Sequence, residues 1–175
     1  MKLSMNNIHL VKPSGKYENS FKSYALSYKE INDEHYFNKY RPALEDFKSY
    51  IHALEKLSEG INLYEDQVPV SNFWLIHGDD VVGVVRIRHK EDGSAGHIGY
   101  DISPEFRKMG YGTELLRLAL QEASKLGINN AILTCSTANT SSRRIIEKNG
   151  GILQGTIFDE EDQEYMYKYS IKTSI

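Results

Sequence analysis

The stretch that decides the reading is Gly99-Tyr100-Asp101-Ile102-Ser103-Pro104, followed two residues later by Arg107-Lys108-Met109-Gly110-Tyr111-Gly112-Thr113. Its first part completes a strand, His97–Ile102, ended by Pro104. Its second part runs into a helix, Gly110–Leu126. There Leu115, Leu116, Ala119, Leu120, Ala123 and Leu126 form an apolar face, opposite Glu114, Arg117, Gln121 and Lys125. Gly127 stands where a left-handed C-terminal cap is expected, and Ala131–Cys135 reads as the next strand. The loop between strand and helix carries two glycines at i and i+2, which let a backbone approach a ligand with no Cβ in the way. The first-turn N–H groups point outward at the positive end of the helix dipole. Together they make an anion site suited to phosphate or pyrophosphate, with Arg107 and Lys108 adding charge at its lip.

Working outward, Ile8–Val11 reads as a short strand stopped by Pro13-Ser14-Gly15. Phe21, Tyr24, Ala25, Tyr28 and Ile31 recur at helical spacing. A second helix is expected to begin near Pro42, with Leu44, Phe47, Ile51 and Leu54 as its stripe and Gly60 after its end. Asn72–His77 and Val81–Arg88 read as strands joined by a tight turn at Gly78-Asp79-Asp80. Beyond the central unit, Ser141–Asn149 is a short helix, and Ile152–Phe158 with Glu164–Ile171 form a closing hairpin. The order predicts an α/β (α+β) fold: a mixed, mostly antiparallel sheet of about seven strands flanked by about four helices.

Composition narrows the function. The chain has 175 residues, 21 Lys+Arg against 24 Asp+Glu and one cysteine. That length suits one domain over 1–175. One cysteine forms no internal disulfide or thiolate zinc cluster, and the six histidines show no metal-ligand spacing, so no metal is expected. No run approaches the roughly 18 apolar residues of a membrane span, and Met1–Asn7 lacks the apolar stretch of a signal peptide. The mildly acidic balance argues against nucleic-acid binding. A cytoplasmic domain without nucleic-acid or membrane partners is the expectation.

A nucleotide is a weak reading of the phosphate ligand, and a nucleotide-binding regulator stays as an alternative. No Gly-Lys-Ser/Thr follows the glycines, as a P-loop would need. A Rossmann turn would need a third small residue where Leu115 stands. The loop instead resembles motif A of the GNAT acetyltransferase superfamily, Arg/Gln-X-X-Gly-X-Gly/Ala. Asn139-Thr-Ser-Ser142-Arg-Arg-Ile-Ile-Glu147-Lys148-Asn-Gly150 resembles that superfamily's motif B helix. Within it the chain is similar to predicted acetyltransferases with a Gly-His-Ile-Gly-Tyr-Asp element. Its Asn-X-X-Ser start is similar to ribosomal-protein-type N-acetyltransferases.

The resemblance implies an acyltransferase that moves an acetyl group from acetyl-CoA directly to a primary amine, either a small molecule or a protein N-terminus. The donor is expected between His97–Ile102 and Ala131–Cys135. Backbone amides from Lys108, Met109, Gly110, Tyr111, Gly112 and Thr113, with Arg107 beside them, would hold its pyrophosphate. Ile102 and Ser103 would pair with its pantetheine arm, and Asn139 and Ser142 would meet its reacting end. Asn139 reads equally well as a helix N-cap.

An amine with pKa near 10.4 must lose a proton before it attacks. His97, on the strand beside the donor, is the expected base; Glu65 and His89 are weaker candidates. The usual motif B tyrosine is replaced by Ile146, so Ser142 is the expected acid, with Tyr100 and Tyr111 as further candidates. Cys135 reads as a small buried residue. Tyr24, Tyr28, Glu30, Asp33, Glu34, Tyr36, Glu65, Tyr165 and Tyr167 are expected around the acceptor, where carboxylates and rings would suit a cation. Dimers are common in the family, so a homodimer is compatible with the resemblance. The missing tyrosine keeps open a non-catalytic acyl-CoA-binding module.

Overall fold

Phe73, Trp74, Leu75 and Ile76 are consecutive and all buried, so their strand is covered on both faces. It is β2 (Val70–His77), inside a four-stranded antiparallel sheet ordered β1–β2–β3–β4. Here β1 is Ile8–Val11, β3 Asp80–Asp92 and β4 Gly96–Ile102. A second antiparallel sheet is ordered β5–β7–β6, from β5 (Asn130–Ser136), β6 (Ile152–Asp159) and β7 (Glu164–Lys172). The computed structural model describes residues 6–174, so most of the N-terminal stretch read for a signal peptide lies outside the described residues.

Among the described residues five helices flank the sheets, where about four are expected: α1 (Glu18–Glu30), α2 (Glu34–Glu45), α3 (Phe47–Glu59), α4 (Tyr111–Lys125) and α5 (Thr140–Lys148). The difference lies between β1 and β2. Pro42 does not open a helix; it sits exposed in the last turn of α2. The breaks fall elsewhere, at Asn32, which takes φ 56°, and at Asp46. Asp33 caps α2 through the Tyr36 N–H at 3.1 Å, and Asp46 caps α3 through the Ser49 N–H at 3.0 Å. Gly60 and Gly127 end α3 and α4 at φ 73° and 81°, the left-handed geometry their positions imply.

The four-stranded sheet has a core on each face. Val82, Val85, Ile87 and Ile98 pack with Leu115, Leu116 and Ala119 of α4. On the other face Trp74, Ile76 and Val84 pack with Phe21, Tyr24, Tyr28 and Tyr40 of α1 and α2. Because side chains alternate along a strand, β4 turns Ile98, Tyr100 and Ile102 toward α4, and Gly99 and Asp101 toward α1 and α2. Val84 stands opposite Asp101 and Arg86 opposite Gly99.

Candidate active site

No ladder joins β4 to β5 among the described residues, although the strands lie side by side. Near its start β4 touches β5 closely: a Cβ on Gly96 would fall 2.5 Å from the Ile132 carbonyl oxygen. The Ile132 N–H donates to Nδ1 of His97 at 2.9 Å. Toward the other end, Tyr100 of β4 reaches α5, its hydroxyl meeting Ser142 Oγ at 2.9 Å. The contacts of Gly96 and His97 with Ile132 lie near the start of both strands, and no ladder follows among the described residues; that unpaired stretch is the gap between β4 and β5. Ser103 donates its N–H to Val82 across β3. The antiparallel pairing therefore turns the alternate backbone groups, those of Tyr100 and Ile102, toward the gap.

The loop after β4 ends beside that gap. Lys108 takes φ 62° and Gly110 φ 92°, a backbone region that suits Gly110 and strains most side chains. A Cβ on Gly110 would meet nothing within 4 Å, so its glycine answers the turn alone. Gly112 has another reason. A Cβ there would lie 2.6 Å from Ile145 Cδ1, so Gly112 lets α5 press against α4. The first intrahelical bond of α4 is from the Glu114 N–H to the Gly110 carbonyl. The N–H groups of Tyr111, Gly112 and Thr113 precede it, and no side chain caps the turn. No protein acceptor meets the N–H groups of Lys108, Met109 or Gly110 among the described residues. This run of donors at a helix N-terminus fits the pyrophosphate that the sequence predicts.

Arg107 is not simply a charge at the lip. Its Nε donates to the Ile102 carbonyl at 3.1 Å, and its guanidinium lies 5.8 Å from the Tyr28 ring centre. Motif B packs onto motif A: Asn149 Nδ2 donates to the Thr113 and Ile145 carbonyls at 3.1 and 2.9 Å. Asn139 caps α5, its Oδ1 accepting the Ser142 N–H at 3.0 Å. Ile146 is fully buried in the α4 core, so the position of the usual tyrosine does not face the gap here.

The structure brings Tyr100 and Ser142 together with the loop but leaves His97 apart, contrary to its expected role as base. His97 is five residues from Ile102, ~17 Å along a strand, at the closed end. Its Nδ1 is taken by Ile132, and burial lowers its pKa. Tyr111 is also turned away, its hydroxyl bonded to His77. His89 bonds Ser71 at 2.8 Å. Cys135 is buried and burial raises its pKa, as for an unreactive thiol. Burial likewise raises the pKa of Tyr100, which keeps its proton.

The side chains expected around the acceptor are not gathered at one place. Asp33 caps α2, and Glu30, Glu34 and Glu65 are exposed. Tyr24 and Tyr28 turn inward to a group that the sequence reading missed, the buried carboxylate of Asp101. Its Oδ2 accepts the Tyr24 and Tyr28 hydroxyls and its Oδ1 the Tyr40 hydroxyl, each at 2.6 Å. Arg86 Nη1 completes the set at 2.8 Å from both Oδ1 and the Tyr40 oxygen. Tyr28 donates also toward the Ile102 carbonyl at 3.1 Å. The signal available was the repeat of tyrosines at helical spacing in α1.

The family model for an acetyltransferase (GNAT) domain matches residues 22–152. The chain belongs to the GNAT acetyltransferase family. No curated protein matches by sequence. Among solved structures, this GNAT chain is similar to the microcin C7 self-immunity acetyltransferase MccE in complex with acetyl-CoA and AMP. The TM-score is 0.71 and the identity 16%, over 95% of this chain and 93% of that one. It is similar to the ribosomal-protein alpha-N-acetyltransferase RimL in complex with coenzyme A, with TM-score 0.71 and 13% identity over 95% and 94%. A chimera of the Vibrio cholerae spermidine N-acetyltransferase SpeG follows at TM-score 0.65 and 15% identity, over 96% of each chain. At these identities the likeness establishes the GNAT fold.

Proposed function

We propose that the chain is an acetyl-CoA-dependent N-acetyltransferase that works as one domain, on an amine acceptor. The observation that carries this reading is the row of unpaired donors from Lys108 to Thr113 opening onto the gap between β4 and β5. Bound there, acetyl-CoA supplies an acyl thioester for direct attack by an amine. The relatives act on a ribosomal protein and on spermidine, so both a protein N-terminus and a small amine fit the family. A cytoplasmic site of action accords with the single unpaired cysteine; among the described residues no helix is long and apolar enough to cross a membrane.

The roles of the side chains follow from their placement. Lys108 to Thr113 hold the pyrophosphate by backbone N–H groups, and Arg107 fixes the end of β4 by its bond to Ile102. The backbone N–H of Ile102 faces the gap and stabilises the developing oxyanion. The Tyr100–Ser142 pair holds a proton at the gap and delivers it to the departing thiolate. His97 joins the two sheets instead of taking the amine's proton. Tyr100 and Ser142 are not bases at neutral pH, so the amine loses its proton to solvent. The rate then rises with pH as the acceptor's own amine deprotonates.

Calorimetric titration with CoA tests the reading. Binding by the native chain, and at least tenfold weaker binding by Gly110→Val, are expected, because a β-branched residue at φ 92° distorts the loop. Unchanged affinity in the variant removes the loop assignment. Binding without thiol release on any amine would favour the non-catalytic module.

A further inference from the structure

Gly99 leaves a bare place on the strand, on the face opposite α4. The nearest atoms to a Cβ built there are Arg88 Nη1 and Nη2, at 3.6 and 3.7 Å, and Arg86 Nε at 3.8 Å. Two guanidinium groups therefore lie close above one glycine, one residue before Tyr100. They are not equivalent. Arg86 is neutralised by Asp101 at 2.8 Å, with side chains 13% and 3% exposed. Arg88, only 19% exposed, has Asp92 no nearer than 3.8 Å and reaches the Ala95 carbonyl at 3.5 Å, the limit of a hydrogen bond. Glu91, the neighbouring acid, is held by Lys168 at 2.7 Å.

A largely buried guanidinium that has a second cation beside it, and whose one carboxylate, Asp92, stands at the long end of an ion pair at 3.8 Å, is costly unless a further anion arrives. The surroundings add to the excess. Burial, then Arg86, lowers the pKa of Arg88, and Asp92 restores part of it. Lys39 of α2 is exposed, and its pKa is lowered by partial desolvation and then by Arg86. Arg86 and Arg88 lie on the α1 and α2 face of β4, the face opposite α4.

We propose that the acceptor amine carries an anionic group, a carboxylate or a phosphate, which docks on Arg88 above Gly99 while the amine enters the gap beside Tyr100. The assignment rests on the acetyltransferase reading above and names its substrate class. Arg88 offers the paired N–H donors that fit a planar carboxylate or a phosphate. A polyamine would meet repulsion at the same place.

The test uses the full chain with acetyl-CoA, thiol release as the readout and acceptors matched except for one charge. One arm pairs β-alanine with β-alaninamide and phosphoethanolamine with ethanolamine. The other pairs amidated peptides whose second residue is aspartate or asparagine, and spermidine is the cationic control. The anionic member of at least one arm should show a kcat/KM at least tenfold higher, and the arm identifies the source. Arg88→Gln should bring that ratio near one, mainly through KM, with CoA affinity retained; Arg88→Lys should restore part of it. Gly99→Ala places its Cβ in ordinary contact, so the chain folds, and it should also lower the ratio. A preference for neutral acceptors or spermidine overturns the proposal, as does a ratio that survives both Arg88→Gln and Gly99→Ala. A chain that binds CoA but turns over no acceptor overturns the substrate class. Absence of CoA binding overturns the acetyltransferase reading beneath it.

Discussion

The two faces of β4 are built from opposite materials. Toward α4, Ile98 meets Leu115, Leu116 and Ala119 in an apolar layer without a charge. Toward α1 and α2, Asp101 holds three tyrosine hydroxyls and a guanidinium in a layer that is nearly as buried. The apolar face tolerates repacking, because dispersion and area have no direction. The polar face is directional: each donor is aimed at one carboxylate, and the geometry of the strand end depends on it. The difference teaches which face positions the chemistry. Tyr28 bonds both Asp101 and the Ile102 carbonyl, so the helices over the acceptor side are fastened to the last residue of β4.

The contrast can be broken most forcefully at its polar centre. Asp101→Ala leaves Arg86 and three hydroxyls facing one another. Removing one partner of such a buried pair costs about 3–5 kcal/mol, and a chain this size should lose roughly 10 °C in melting midpoint. Urea and thermal unfolding measure both. On the apolar side, Leu115→Ala should cost about 3 kcal/mol through lost burial and a cavity. It should leave the salt dependence of stability as in the native chain, whereas Asp101→Ala alters it. Equal salt responses in the two variants would erase the distinction between the faces.

Smaller effects sharpen the comparison along the strand rather than across it. Ser142→Ala and Tyr100→Phe act at the open end and should lower kcat about tenfold or more, within the range for a positioned proton donor, with little change in stability. At the closed end, burial holds the His97 and His89 imidazoles below their ordinary 6.5. The unfolded chain then takes up protons before the folded one as pH falls. The stability they contribute is complete above pH 6.5 and is lost as pH drops through their folded values. Urea midpoints at pH 7.5 and 5.5 should show this loss, and His97→Gln should reduce it.

The apolar face was legible because it is local. A period of 3.6 places Leu115, Leu116 and Ala119 on one side of α4, and Gly127 marks its end. The donor loop was legible for the same reason, since Arg107 to Thr113 are contiguous. The polar face was not. Asp101 meets Tyr24, Tyr28 and Tyr40 across sequence separations of 77, 73 and 61 residues, and no periodicity announces such a meeting. The break between α2 and α3 was hidden by Pro42, whose residue type suggests a helix start while Asp46 makes the cap. His97 was placed on the right strand, but a strand's sequence does not tell which of its ends stays closed. Gly112 was read as room for a ligand, and packing against Ile145 gives it a further reason that the sequence did not show.

Asn149 ties the end of α5 to the first turn of α4. In the proposed reading, the loop that would hold one end of a donor and Ser142, which would meet its other end, are therefore mounted on a common frame. Their separation acts as a gauge. A donor whose arm is shorter or longer than that span reaches the gap out of step with Tyr100, whatever the strength with which its phosphates are held.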